Sequence, residues 1–168
     1  MHTENWGLRL LTALTTGLAS AALFAAAIAQ AQSGLPVAEE VATKEALGHA
    51  LEQYDQAIEG ELYGEAADAG KLYLNALLQD PNHDPGDRGQ ALSRLGYAQH
   101  HAGEFGAAIE NYVLALEVLE PDTNRLDISL AEPMLGLSRA LGDAGDYRSA
   151  VESYNRLLHL LQTLYLFL

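Results

Sequence analysis

Two stretches of this chain carry the same pattern 42 positions apart: Gly103-Glu104-Phe105-Gly106-Ala107-Ala108-Ile109-Glu110-Asn111-Tyr112 and Gly145-Asp146-Tyr147-Arg148-Ser149-Ala150-Val151-Glu152-Ser153-Tyr154. Glycine aligns with glycine, acid with acid, aromatic with aromatic and alanine with alanine. A repeat of fixed period is typical of a protein that stacks one small structural element on the next. Each repeat is too small to bury its own apolar face, so neighbouring repeats share a core and present an extended surface.

Helical periodicity agrees with this interpretation. Between residues 88 and 102 the apolar residues recur at helical steps and share one helix face: Ala91, Leu92, Leu95, Ala98 and Ala102. A strand would need alternation of apolar and polar residues, which this segment lacks. Gly103 can take the left-handed conformation that ends a helix, and Glu104 suits the positive start of the next one. The sequence therefore predicts an all-α fold.

The match extends upstream of both copies and resembles the tetratricopeptide repeat family. The corresponding residues there are Leu95 and Leu137, Gly96 and Ser138, and Ala98 and Ala140. In that family a small residue in the first helix of each pair allows the second helix to cross closely, a place that Gly96 and Ser138 fit. A weaker third copy precedes Gly103 by 39 residues, with Gly64, Ala69 and Tyr73 as its counterparts and Ala57 as its small residue.

The resemblance covers roughly residues 46–162 and implies an α-solenoid of antiparallel helix pairs, with about three repeats. The usual family period is about 34 residues. The longer step found here is similar to the long repeats of kinesin light chain and its bacterial relatives. Such a resemblance identifies a fold and leaves the ligand open.

The first residues are typical of a secretory signal. A short polar lead with Arg9 precedes an apolar run over 10–29, and Ala29-Gln30-Ala31 matches the small-residue cleavage pattern. We expect residues 1–31 to be removed, 32–45 to form a leader and 46–168 to form the repeat domain, in the periplasm or secreted. The alternative is an uncleaved inner-membrane anchor, because the apolar run reaches the ~20 residues that a membrane span needs.

Charge and composition narrow the class of partner. The formal net charge is −14, with 23 acidic and 9 basic residues, and the chain has no cysteine. An acidic surface repels nucleic acid and anionic lipid, so neither is expected as a partner. Without disulfides, the stability of the fold must come from helix stacking.

Candidate catalytic and metal chemistry is sparse. His100 and His101 are adjacent on a helix and point about 100° apart, which suits no single metal ion. The acidic stretch from Asp80 to Asp87 lacks the glutamate that closes a calcium loop, since Ala91 stands there. No phosphate-binding loop or nucleophile motif is present. We expect no enzymatic activity, no cofactor, no metal and no small-molecule substrate.

The groove of such a fold is lined by the first helices, by resemblance to the family. The residues that we expect to form a partner-binding groove here are Gln90, Ser93, Tyr97, His100 and Arg139. Tyrosine and arginine are enriched at binding hot spots. The leading hypothesis is a non-catalytic adaptor of the bacterial cell envelope that holds a peptide or helix of a partner protein in this groove.

The end of the sequence suggests a second surface. Beyond Arg156 the residues to 168 include no charged side chain, and they are too few to span a bilayer. Exposed apolar patches mark association sites. We therefore expect a second copy or a partner to bury Leu160, Leu164, Tyr165 and Phe167. On this alternative the protein is a structural subunit that assembles through its apolar C-terminal end. A third alternative is a membrane-anchored repeat scaffold whose N-terminal helix is not cleaved.

Overall fold

The computed structural model describes residues 38–80, 83–120 and 127–166. The helices in these ranges are α1 (Ala38–Glu59), α2 (Tyr63–Gln79), α3 (Pro85–His101), α4 (Phe105–Leu119), α5 (Ala131–Asp143) and α6 (Tyr147–Leu166), with a short 3-10 helix, η1 (Ile128–Leu130), before α5. They form three helix pairs, α1 with α2, α3 with α4 and α5 with α6. The described part of the chain contains no strand, which confirms the all-α prediction.

The expected domain limits can be compared with the structure only in part. The predicted signal, residues 1–31, lies outside the described residues. Helix α1 already begins at Ala38, inside the segment 32–45 that we expected to be a leader. The chain divides into Met1–Ala42 and Thr43–Leu168, and the second part holds α1 from Thr43 onward and all the later helices.

Three turns with the same hydrogen bonds join the two helices of each pair. In these turns the backbone N–H groups of Leu62, Glu104 and Asp146 donate to the carbonyl oxygens of Ala57, Gln99 and Leu141, at 2.8, 2.8 and 2.9 Å. The residues with positive φ are Glu61 at 56°, Gly103 at 81° and Gly145 at 88°. The left-handed conformation predicted for Gly103 is therefore confirmed, and its counterpart Gly145 shares it.

The same bonds correct the position of the weak repeat. The structure places its turn 42 residues before Gly103, at Glu61, and not 39 residues before it at Gly64. Gly64 lies inside α2 and is exposed. The period is thus 42 residues at both steps, and Ala66, Ala108 and Ala150 are the equivalent buried alanines. The sequence alignment matched Gly64 to Gly103, whereas the residue with positive φ in this turn is Glu61.

Consecutive helices pack against each other along the chain. Contacts join α2 with α3, α3 with α4, α4 with α5 and α5 with α6, and the first helices α3 and α5 of successive pairs also touch. Two core clusters result. One is rich in alanine and includes Tyr54 and Leu95, and the other is rich in leucine and includes Tyr112. This arrangement is that of an α-helical repeat.

Glycine and alanine permit the closest helix approaches. A Cβ on Gly96 would lie 3.1 Å from the ring of Tyr112, and a Cβ on Gly136 would overlap that ring. Ala108 is fully buried. Gly96 therefore lies at a close helix contact as the resemblance implies, with the Tyr112 side chain as its partner, and Ala108 is also interior.

Candidate binding surface

Side-chain hydrogen bonds connect the first helices of successive pairs. The Tyr54 hydroxyl on α1 donates to the carbonyl oxygen of Arg94 on α3, at 2.8 Å. His100 Nε2 on α3 lies 2.7 Å from Asp143 Oδ2 on α5, where the carboxylate accepts. The three first helices thus form one connected surface, called here the first-helix face.

An aromatic cluster lies at the turn end of this face. His101 stacks on Tyr63, with ring centroids 4.8 Å apart and planes 25° apart, and its centroid is 4.4 Å from that of Tyr97. His100 lies 5.3 Å from His101 and 5.8 Å from Phe105. These side chains come from α2, α3 and α4, and the aspartate that holds His100 comes from α5. The cluster therefore draws on all three helix pairs.

Burial and nearby charge determine the ionisation of this region. Burial lowers the pKa of His101 from its ordinary value, and the positive potentials of His100 and Arg139 add to that effect, while Asp143 opposes it. Burial also raises the pKa of Tyr54 and Tyr112 well above the usual tyrosine range, so both hydroxyls keep their protons. The cluster accordingly favours a neutral imidazole beside a permanently charged guanidinium.

The structure brings most of the predicted groove residues to this face. Tyr97 and His100 are half-buried in the cluster, and Arg139 is exposed and close enough to act on His101. Gln90 is exposed two helical turns before Tyr97 on α3. Ser93 is the exception, because it is buried at 3% exposure and its Oγ has no hydrogen-bond partner within the described residues.

The predicted C-terminal interface residues separate into two groups. Leu160 is buried in the chain's own leucine-rich core, and Leu164 packs against the same cluster. These two leucines are therefore occupied within the chain and do not form a free surface. Tyr165 is 79% exposed. Phe167 lies outside the described residues.

Sequence reasoning missed Tyr63 and Phe105 as members of the surface. Both are the first residue of a second helix and stand 42 residues apart, as does Tyr147 in the third pair. That aromatic repeat was visible in the sequence once the period was known. The incorrect offset also made Ala57 the counterpart of Gly96, whereas at the 42-residue period that counterpart is the buried Tyr54.

A second concave region of the described chain lies away from the first-helix face. A cleft of about 610 Å³ opens beside α6, lined among others by Arg148 and Arg156, and Arg156 is paired with Glu120 at 3.2 Å. The residues in view hold no group of three or more histidine, aspartate or glutamate side chains placed to bind a metal ion. Among the described helices, none is both long and apolar enough to cross a membrane.

Comparison with known proteins finds no match. The chain matches no model of a known protein family, and no curated protein matches it either. The fold and the first-helix face are thus the basis for a functional proposal.

Proposed function

We propose that this chain is a non-catalytic protein-interaction module of the tetratricopeptide repeat type. It binds a peptide or a helix of a partner protein on its first-helix face. The contact residues are Tyr97, His101 and Arg139, with Gln90 extending the surface along α3. In the cell the module works in the bacterial envelope, as a periplasmic protein that begins at Gln32 or as one anchored by an uncleaved N-terminal segment.

The observation that supports this proposal is the aromatic cluster on the first-helix face. Aromatic rings offer large contact area at low entropic cost, and arginine adds a directed donor, which is why both are common at hot spots. Arg139 is exposed, and the His101 ring is held between Tyr63 and Tyr97. A pre-ordered surface of this kind loses little entropy when a ligand binds.

The ligand expected there is an extended or helical segment with an apolar side chain and a hydrogen-bond acceptor. The apolar side chain packs on the Tyr97 and His101 rings, and the acceptor receives the Arg139 guanidinium. The neutral form of His101, which burial favours, keeps this part of the surface suited to an apolar group.

The test is a quantitative capture experiment from the envelope fraction of the native cells. The paired substitution Tyr97→Ala with Arg139→Ala should reduce recovery of the bound partner about tenfold or more, the effect of losing a hot spot of roughly 1.4 kcal/mol or above. Purified partner and module should then show the same loss by calorimetry. Circular dichroism should show unchanged helix content, because Arg139 is exposed and the half-buried Tyr97 lies outside both core clusters.

The matched control replaces the same residue types elsewhere, as Tyr73→Ala with Arg88→Ala. These residues lie on α2 and on the first turn of α3, away from the cluster. Partner recovery with the control variant should equal that of the unmodified chain. Equal loss with both variants would rule out the first-helix face as the binding surface.

N-terminal sequencing of the same sample tests the location, and a chain that retains Met1 would support the anchored form.

A further inference from the structure

Helix α6 carries two apolar stripes, and only one of them is packed inside the chain. Ala150, Ser153, Leu157 and Leu160 are buried against the core. The second stripe, called here the outer seam, is between 41% and 79% exposed and consists of Tyr147, Val151, Tyr154, Leu158, Leu161 and Tyr165. An exposed apolar row of this length marks an association site.

The repeat shows what kind of surface the outer seam is. Counting back 42 residues from Val151, Tyr154, Leu158 and Leu161 gives Ile109, Tyr112, Leu116 and Leu119 on α4. Tyr112 and Leu116 are buried in the core cluster in which α4 packs against α5, and Ile109 and Leu119 are partly buried against it. The outer seam on α6 is therefore the counterpart of the face of α4 that packs against α5. It has the shape and chemistry of a helix-packing surface.

We propose that the outer seam binds the outer seam of a second copy of this chain, with the two α6 helices antiparallel. The seam residues follow one another at steps of four and three, the spacing of a coiled-coil stripe. The stripe is symmetric about position 156. In an antiparallel pair Tyr147 therefore meets Tyr165 of the other copy, Val151 meets Leu161 and Tyr154 meets Leu158. The stripe is thus complementary to itself, as a two-fold interface requires.

Charge favours this helix as the place where two copies meet. The whole chain has a net charge of −14, so most approaches between two copies are repulsive. Helix α6 carries Arg148 and Arg156 against the single acid Glu152, which gives it a net charge of +1. Two copies that approach through α6 therefore meet less like-charge repulsion than they would through a strongly acidic surface.

Head-to-tail stacking, in which α1 of a second copy would pack on α6 as α5 packs on α4, fits the outer seam less well. At the α4–α5 boundary Tyr112 requires glycine opposite, because a Cβ on Gly136 would overlap its ring. Tyr154 is the equivalent of Tyr112, and α1 would have to supply the equivalent of Gly136. That position in α1 is Glu52, an exposed glutamate. A second copy's α1 therefore cannot take the place of α5 on the outer seam.

Light scattering and sedimentation of the full chain at micromolar concentration provide the first test. We expect a dimer. Leu158→Glu should raise the dimer dissociation constant at least ~10-fold, because it would bury an unpaired carboxylate in an apolar contact. The control is Leu72→Glu on α2, which changes a leucine of similar exposure, 57% against 53%, outside the seam. The control should remain dimeric. If Leu158→Glu lowers helix content, Val151→Lys supplies the same test.

Cysteine cross-linking then tests the direction of the helices, with no background because the chain has no cysteine of its own. A mixture of Val151→Cys and Leu161→Cys chains should form a mixed disulfide. Each variant alone should not, because antiparallel packing separates identical residues by about 15 Å along the helix. Self-linking of Val151→Cys alone would overturn the antiparallel arrangement. A monomeric full chain, or an oligomer that Leu158→Glu leaves intact, would overturn the interface itself.

Discussion

At the boundary between the first and second helix pairs, Gly70 on α2 faces Leu95 on α3, whereas at the next boundary Tyr112 holds the equivalent place on α4 and faces Gly136 on α5. Gly70 and Tyr112 are equivalent positions one repeat apart, whereas Leu95 corresponds to Leu137 and Gly136 to Arg94. Within the pairs, Tyr54 stands where Gly96 stands one repeat later. The ring of Tyr112 faces glycine on both neighbouring first helices, Gly96 and Gly136, so close packing there depends on the absence of a Cβ opposite the ring.

The two core clusters differ in the size of their side chains. The first combines Tyr54 and Leu95 with five alanines, and the second is built mainly from leucine, methionine and Tyr112. Burying one leucine or aromatic side chain contributes about 1.5–3 kcal/mol, and an alanine contributes much less. The second boundary should therefore contribute more to stability, and it should also be the less tolerant of added volume.

The largest expected effect comes from adding one methyl group at each boundary. Gly136→Ala should lower the free energy of unfolding by about 1–3 kcal/mol, because the new Cβ overlaps the Tyr112 ring. Gly70→Ala should have the opposite sign, with a gain of up to about 1 kcal/mol. Its Cβ would lie 3.4 Å from Leu95, an ordinary contact, and alanine favours a helix over glycine. Urea unfolding of both variants measures the difference.

A double-mutant cycle identifies the cause of the Gly136→Ala effect. Adding Tyr112→Leu should recover part of the lost stability, because it removes the ring that the methyl group meets. Strictly additive losses in the double variant would show that the Tyr112 ring is not what makes glycine necessary at position 136.

The turns give the second contrast between the first pair and the others. Gly103→Ala should cost about 1 kcal/mol, since φ there is 81° and an added Cβ has open space, so the cost lies in the backbone alone. Glu61→Gly should instead stabilise by some tenths of a kcal/mol, because a glutamate now holds φ at 56°. Thermal melts of the two variants should move in opposite directions. A loss in Glu61→Gly would mean that its side chain contributes more than the backbone strain costs.

The sequence predicted the fold through residues whose conformation is rare. Gly103 and Gly145 mark left-handed turns that few residues adopt, and the aromatic and alanine that follow repeat with them. The first turn could not be predicted in the same way, because glutamate is not a residue type typical of the left-handed conformation that Glu61 adopts. The nearby Gly64 resembles the repeated glycine instead, and alignment on it shifts the predicted first repeat by three residues.

The candidate surface was predictable only in part, because helix periodicity does not show how many neighbours a helix has. Helix α3 packs against α2, α4 and α5, so only a narrow strip of it reaches solvent, and Ser93 falls outside that strip. Helix α6 reads as apolar on most sides. The structure was needed to separate Leu160, which faces the core, from Tyr165, which does not.

The smallest expected effect is a pH dependence located where the first pair meets the second. His101 on α3 stacks on Tyr63 of α2, and burial together with His100 and Arg139 lowers its pKa in the folded chain. In the unfolded chain a histidine takes up its proton near pH 6.5. As the pH falls through that value, the unfolded state binds a proton that the folded state does not, so stability decreases.

Melts between about pH 7.5 and 5.5, which bracket the ordinary histidine pKa, should show a smaller decrease in melting temperature for His101→Gln than for the unmodified chain. His49→Gln, at an exposed position on α1, is the control and should keep the original slope. Identical slopes in all three proteins would show that His101 does not govern the pH dependence of this contact.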